Sequence, residues 1–166
     1  MSAPGSPLSA IQLDACRLGP RSYPDTRVRY KPFDPTAGFR TYWWVDHLVN
    51  TGSGVQEWWS YRSRGAEVAR VEILLNAQCA RCYDVADPAE GFVEIALIEV
   101  REDHQRQGIG AAIVDRLLHT AYPGRPIAAL SENDAFWYAL GWTEHLRSDV
   151  ADPRKHRKLF LSPSHD

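Results

Sequence analysis

The chain of 166 residues is 44% hydrophobic and 24% charged, with a formal net charge of -2; this is the profile of one folded domain with enough apolar content for its own core. No block of like charges occurs, so neither a nucleic-acid footprint nor a membrane-surface patch is expected. No stretch approaches the roughly eighteen apolar residues of a spanning helix, and the N-terminus lacks the charged-then-apolar pattern of a secretory leader, so the expected location is the cytoplasm.

Residues 1–24 hold Pro4, Pro7, Pro20 and Pro24 among Ser, Gly and Ala, with a short apolar patch from Leu8 to Leu13. They are expected to form a flexible arm that docks by that patch, ahead of a single domain over 25–163. Arg27 to Lys31 reads as a short strand. Asp34 followed by Pro35 suits an N-cap and first helical residue, and Gly52 a stop, which predicts a helix of about four turns. Val55 to Tyr61 and Ala66 to Leu75 are β-rich and joined by Arg62-Ser63-Arg64-Gly65, a hairpin signal. A long connection, Asn76 to Gly91, leads to an apolar strand, Phe92 to Val100.

A turn then opens an amphipathic helix, Ala111 to Ala121, with Ile113, Val114, Leu117 and Leu118 on one face. Pro126 to Leu130 reads as a strand. Ser131 and Asp134 have the spacing of a capping box for a short helix that Gly141 ends, and Trp142 to Arg147 and Lys158 to Leu161 are two final strands. This order implies a mixed sheet with helices on its faces.

The most informative stretch is Gln105-Arg106-Gln107-Gly108-Ile109-Gly110, between strand and helix. A glycine-bearing turn into a helix N-terminus offers free backbone N–H groups and the positive end of the helix dipole to an anion. Gly108 and Gly110 allow unusual dihedrals and close approach to a ligand, and Arg106 adds charge. A phosphate-bearing ligand is expected. The plain alternative is a tight strand-to-helix connection.

The stretch resembles the Q/R-x-x-G-x-G/A pyrophosphate-binding loop of the GCN5-related N-acetyltransferases (GNAT family), and Phe92 to Leu118 is similar to that family's central strand, loop and helix. Pro126 to Leu130 and Ser131 to Trp142 continue the resemblance. It implies an α/β (α+β) fold, a mixed, mostly antiparallel twisted sheet of six to seven strands with helices on both faces. It further implies an acetyl-CoA-dependent N-acetyltransferase that acts on a primary amine of a small molecule or a peptide by direct attack in a ternary complex, with acetyl-CoA as cosubstrate and no metal. A homodimer is left open.

Carried over by position, the resemblance gives the pyrophosphate to Gln105, Arg106, Gln107, Gly108, Ile109, Gly110 and Ala111. The pantetheine arm then pairs with Ile98, Glu99 and Val100, a backbone N–H near Val100 holds the oxyanion, and Asn133 bonds the pantetheine. Glu94, eleven residues before Gln105, resembles the strand glutamate that serves some members as general base; alternatively it is a partly solvated strand residue or an acceptor-binding carboxylate. By parity Glu94 and Glu99 point to opposite faces of the sheet.

The family's acid, a tyrosine four residues before the helix-ending glycine, is replaced by Trp137, whose indole cannot donate the proton. Tyr138 follows one residue later, about 100° around a helix, and as the candidate acid needs a local irregularity to reach the sulfur; the alternative is that Tyr138 faces solvent or core, Trp137 walls the thioester pocket and water finishes the step.

The pairs Trp43-Trp44 and Trp58-Trp59 cannot bury both members equally against one core; since the resemblance places the acceptor site beside the first helix and nearby strands, it implies an apolar or aromatic acceptor pocket involving these tryptophans, set against aromatics that simply seal a core. Cys79-Ala80-Arg81-Cys82 has metal-like spacing, but no second ligand pair follows, so loop thiols are expected; the odd count of three cysteines does not make a disulfide framework. A non-catalytic acyl-CoA sensor on the same fold is the rival reading. A toxin acting on charged transfer RNA would be expected to show a basic surface, which the charge does not supply.

Overall fold

The computed structural model describes residues 11–19, 21–22, 29–45 and 55–163. Residues 1–10, the expected strand start at Arg27 and the expected helix end at Gly52 lie outside the described residues. A seven-stranded sheet forms the frame, in the order β1-β4-β5-β6-β7-β9-β8. Its strands are β1 (Asp14–Leu18), β4 (Val55–Ser63), β5 (Ala66–Ala77), β6 (Phe92–Val100), β7 (Ile127–Leu130), β8 (Thr143–His145) and β9 (Leu159–Leu161). Among the described residues only β6 and β7 pair in parallel; the other ladders are antiparallel. A separate pair joins β2 (Arg21–Ser22) to β3 (Arg29–Tyr30). The β4–β5 hairpin forms where expected, with Arg64 and Gly65 at φ +50° and +82°, as a twist-matched two-residue turn requires.

The main core lies between one face of the sheet and α2 (Ile109–Arg116), where Ile113, Val114 and Leu117 pack on Val71, Ile73, Val93 and Ile95. Trp137, Trp142 and Phe160 extend it under α3 (Asp134–Ala139). Beyond Arg116 the helix widens into a π turn, Leu117–Ala121, with Tyr122 N–H donating to Leu117 O at 2.9 Å. That extra residue per turn lets Tyr122 Oη donate to Glu57 and accept from Trp59 Nε1 at 3.1 Å. The opposite face carries two smaller cores, one of Phe33, Phe39, Trp44 and Trp58, the other of Ala80, Tyr83, Phe92, Ala128 and Leu159.

Three expectations are corrected. Asp34 caps no helix: α1 is Thr41–Trp44, and Arg40 stands at its N-cap position. The reason lies in Arg70, 2% exposed, because a guanidinium removed from water must find acceptors. It takes Asp34 O at 3.0 Å, Thr36 Oγ1 at 3.1 Å and Glu67 Oε2 at 2.7 Å, and the rings of Phe33 and Phe39 lie 4.8 and 4.2 Å from its Cζ. The 33–39 segment is shaped around that cation.

Residues 14–18, expected in the flexible arm, form edge strand β1 on β4, with Leu13 buried in the main core. The capping box also does not form, since α3 starts after Asn133 without a side-chain cap and the buried Ser131 hydroxyl has no partner among the described residues.

No helix among the described residues is long and apolar enough to cross a membrane.

Candidate active site

The turn after β6 is built as an anion cradle. Arg106 and Gly108 take φ +60° and +78°, and Gly108 occupies the N-cap position of α2. The first helical bond from the cap is Ala112 N–H to Gly108 O, 3.0 Å, so by helix geometry the N–H groups of Ile109, Gly110 and Ala111 have no intrahelical acceptor. Gln105 Nε2 donates to Val100 O at 3.0 Å and Gln107 Nε2 to Asp103 O at 3.3 Å, which pins the turn to the end of β6. Arg106 is exposed.

Gly110 also has a packing role that the sequence reading did not include. A Cβ there would lie 3.0 Å from Phe136 Cε2, so the missing side chain lets α2 pack on α3.

The sheet opens beside this turn. Among the described residues β7 pairs with β6 only at Val93 and Glu94, and the edge of Leu97 to Val100 that faces away from β5 has no strand partner. Arg101 N–H bonds Val68 O across the β5 side, 2.8 Å. Alternation along an antiparallel strand then points the N–H groups of Val100 and Ile98 into the opening, the direction from which Gln105 reaches Val100 O.

Glu94 and Glu99 share a face, against the parity expectation. The β5–β6 register jumps from Glu72↔Leu97 to Ile73↔Ile95, so Ala96 is an extra residue, a bulge. It resets the alternation: Val93, Ile95, Ile98 and Val100 face α2, while Phe92, Glu94, Leu97 and Glu99 face the smaller cores. Glu99, 8% exposed, is fully engaged by Trp44 Nε1 at 2.6 Å and Arg40 N–H at 3.2 Å.

Glu94, 9% exposed, receives no hydrogen bond among the described residues. Burial pushes its carboxyl above the usual range; Arg157 opposes the shift and Glu72 adds to it. Glu72 itself pairs with the buried Lys31 at 2.5 Å. The Cys79 thiol, which feels the Glu94 charge, is pushed up to about 12, by burial first. It is therefore a thiol at neutral pH. All three cysteines are free, and no group of three or more metal-ligating side chains occurs among the described residues.

The four paired tryptophans do not converge on one pocket. Trp44 and Trp58 are core residues of the same small cluster, Trp43 lies half-buried beside them under the Arg40 guanidinium at 4.0 Å, and Trp59 faces α2 instead. Trp137 is buried against Trp142, with centroids 4.7 Å apart. Tyr138, 47% exposed, donates to Glu144 and accepts from Lys158 Nζ at 3.0 Å. Lys158 also reaches Glu144 at 2.9 Å and Asp134 at 3.1 Å. The Tyr138 phenol thus points toward edge strand β8. Asn133 is exposed at the start of α3.

A model of the Acetyltransferase (GNAT) family matches residues 20–124. The chain belongs to the GNAT acetyltransferase family. The GNAT family generally uses acetyl-CoA. The matched range holds the strand, turn and helix of the cradle but ends before β7 and α3, where Asn133, Trp137 and Tyr138 stand. Among solved structures, an acetyltransferase from Thermus thermophilus is similar, with 19% identity and a TM-score of 0.46 over 65% of this chain and 64% of that one. No curated protein matches.

The β6 bulge was not seen in the sequence, whereas a free β6 edge at Ile98 to Val100 was implied by the family resemblance. A signal existed: two glutamates five apart in one apolar strand, with the smallest residue, Ala96, between them.

Proposed function

We propose that this GNAT protein transfers an acetyl group from acetyl-CoA to a primary amine, by direct attack in a ternary complex. One observation carries the reading: the left-handed turn at Gly108 aims unused N–H groups to the foot of an unpaired β6 edge whose own strand bears Glu94. The residues fit the cosubstrate, since three free N–H groups, the helix dipole and Arg106 suit a diphosphate, and the open edge suits an extended amide chain. Acetyl-CoA supplies an activated acyl thioester.

This chain's residues do the rest. Ile109, Gly110 and Ala111 bind through backbone N–H groups, with Gln105 and Gln107 holding the turn in shape and Arg106 adding charge. Ile98, Glu99 and Val100 offer the strand edge, and Val100 N–H donates to the carbonyl oxygen as negative charge gathers on it. Glu94 takes the proton from the ammonium, and a carboxyl lifted by burial is better matched to that task than an ordinary one. As the new C–N bond forms, the C–S bond breaks, the nitrogen gives up its second proton to solvent water and the thiolate leaves. It is protonated by water, because Trp137 has no acid to give and the Tyr138 hydroxyl is held by Glu144 and Lys158.

The test is release of free coenzyme A thiol from acetyl-CoA across a panel of primary amines. Amine-dependent release supports the reading. Tight acetyl-CoA binding with no release for any amine favours the acyl-CoA sensor instead.

A further inference from the structure

The N-terminal segment ends beside the cradle. Asp14 pairs with Arg62 at the end of β4, and Val100 pairs with Ala69 near the start of β5, so residues 11–13 enter the fold at the end of the sheet where the phosphate turn begins. Three contacts fix them there. Leu13 is buried in the main core, the Arg116 guanidinium donates to Leu13 O, and Arg17 pairs with the buried Glu57 across the β1–β4 ladder. Held in this way, Ile11 rests against the turn: a Cβ at Gly108 would meet Ile11 Cδ1 at 3.5 Å, the one such neighbour among the described residues. Yet Ile11 is 39% exposed. An isoleucine kept half in water beside an anion cradle buries little for the fold's own benefit.

The sides of the turn decide what Ile11 can touch. The open edge of β6 faces β7, whereas Ile11 arrives from the β1–β4 side of the sheet. A coenzyme A thioester held at its diphosphate with its acyl-bearing arm in the opening would send its adenosine half the other way, past Gly108. We infer that Ile11 is a specificity-determining wall of the cosubstrate site, giving apolar contact to the adenosine half of coenzyme A. This rests on the acetyl-CoA reading above. The N-terminal segment is thereby part of the binding site rather than an appendage.

Isothermal calorimetry on the full chain tests this with coenzyme A, 3′-phosphoadenosine 5′-diphosphate and inorganic pyrophosphate as probes. Ile11→Ser removes the apolar contact without adding charge, and is expected to weaken coenzyme A and the adenosine fragment by the same factor, about fivefold. Pyrophosphate binding stays at the wild-type value, Ile11→Val restores at least half of the loss, and the melting temperature is unchanged. Wild-type affinity of Ile11→Ser for coenzyme A overturns the inference. So does an equal loss for pyrophosphate, which would mean that Ile11 acts only through the shape of the turn. Failure of the wild-type protein to bind coenzyme A at all would instead remove the acetyl-CoA reading on which the inference stands.

Discussion

Glu94 and Glu99 stand on one face of one strand, both nearly buried, and differ in what surrounds them. Glu99 accepts from the Trp44 indole and the Arg40 backbone and ties α1 to β6. Glu94 accepts from no described donor, and burial raises its proton affinity. A buried carboxylate whose lone pairs are satisfied is part of the scaffold; one left unsatisfied holds a proton more tightly and is available for chemistry. The bulge at Ala96 makes the pair comparable, because it turns both side chains to the same face.

The comparison breaks most severely at Trp44. Trp44→Ala empties the middle of a small core and strips Glu99 of its shortest bond, and is expected to cost about 3–5 kcal/mol by chemical denaturation. A loss under about 1 kcal/mol would show that Glu99 is not anchored there.

Next in size is Glu94→Gln, which keeps shape and removes basicity. Turnover should fall by roughly 100-fold near neutrality and recover in part at high pH, where free amine is abundant, while acetyl-CoA affinity measured by calorimetry stays unchanged.

The same variant has an opposite effect on stability. A carboxyl whose folded pKa is raised contributes stability below its unfolded value that is lost as pH rises through the folded value. Glu94→Gln should therefore melt above wild type at pH 7, with the gap closing toward pH 4. A variant that melts lower at pH 7 would place Glu94 with Glu99 among the scaffold carboxylates.

Glu99→Gln sharpens the contrast from the other side: a stability loss of about 1–3 kcal/mol with turnover per folded molecule within about threefold of wild type. If turnover instead falls as far as in Glu94→Gln, the division between the two residues is wrong.

Smallest is Tyr138→Phe. Because its hydroxyl is committed to Glu144 and Lys158 near the sheet edge, the rate should drop less than tenfold. Abolished turnover with intact acetyl-CoA affinity would make Tyr138 the acid.

Where the relevant physics is local, the sequence was readable. The turn from Gln105 to Gly110 needs only backbone chemistry within a few residues: positive φ at Gly108, free N–H groups at a helix start, an apolar strand before and an amphipathic helix after. The β4–β5 hairpin was legible for the same reason. The packing of Gly110 on Phe136 was not legible in the same way, since Phe136 lies on another helix.

The tertiary structure alone decided what depends on distant partners. Asp34-Pro35 has the signature of a helix start, and lost to a buried Arg70 that lies far along the chain and needs the Asp34 carbonyl. The four tryptophans look alike in sequence and divide among two cores because each strand residue inherits its face from the register of its neighbours. The parity of Glu94 and Glu99 turned on one unpaired residue, which is visible only once β5 is laid beside β6. Local signals fix backbone geometry, because steric and hydrogen-bonding limits act over a few residues. The face, burial and proton affinity of a side chain are set by what packs on it, and those partners come from elsewhere in the chain.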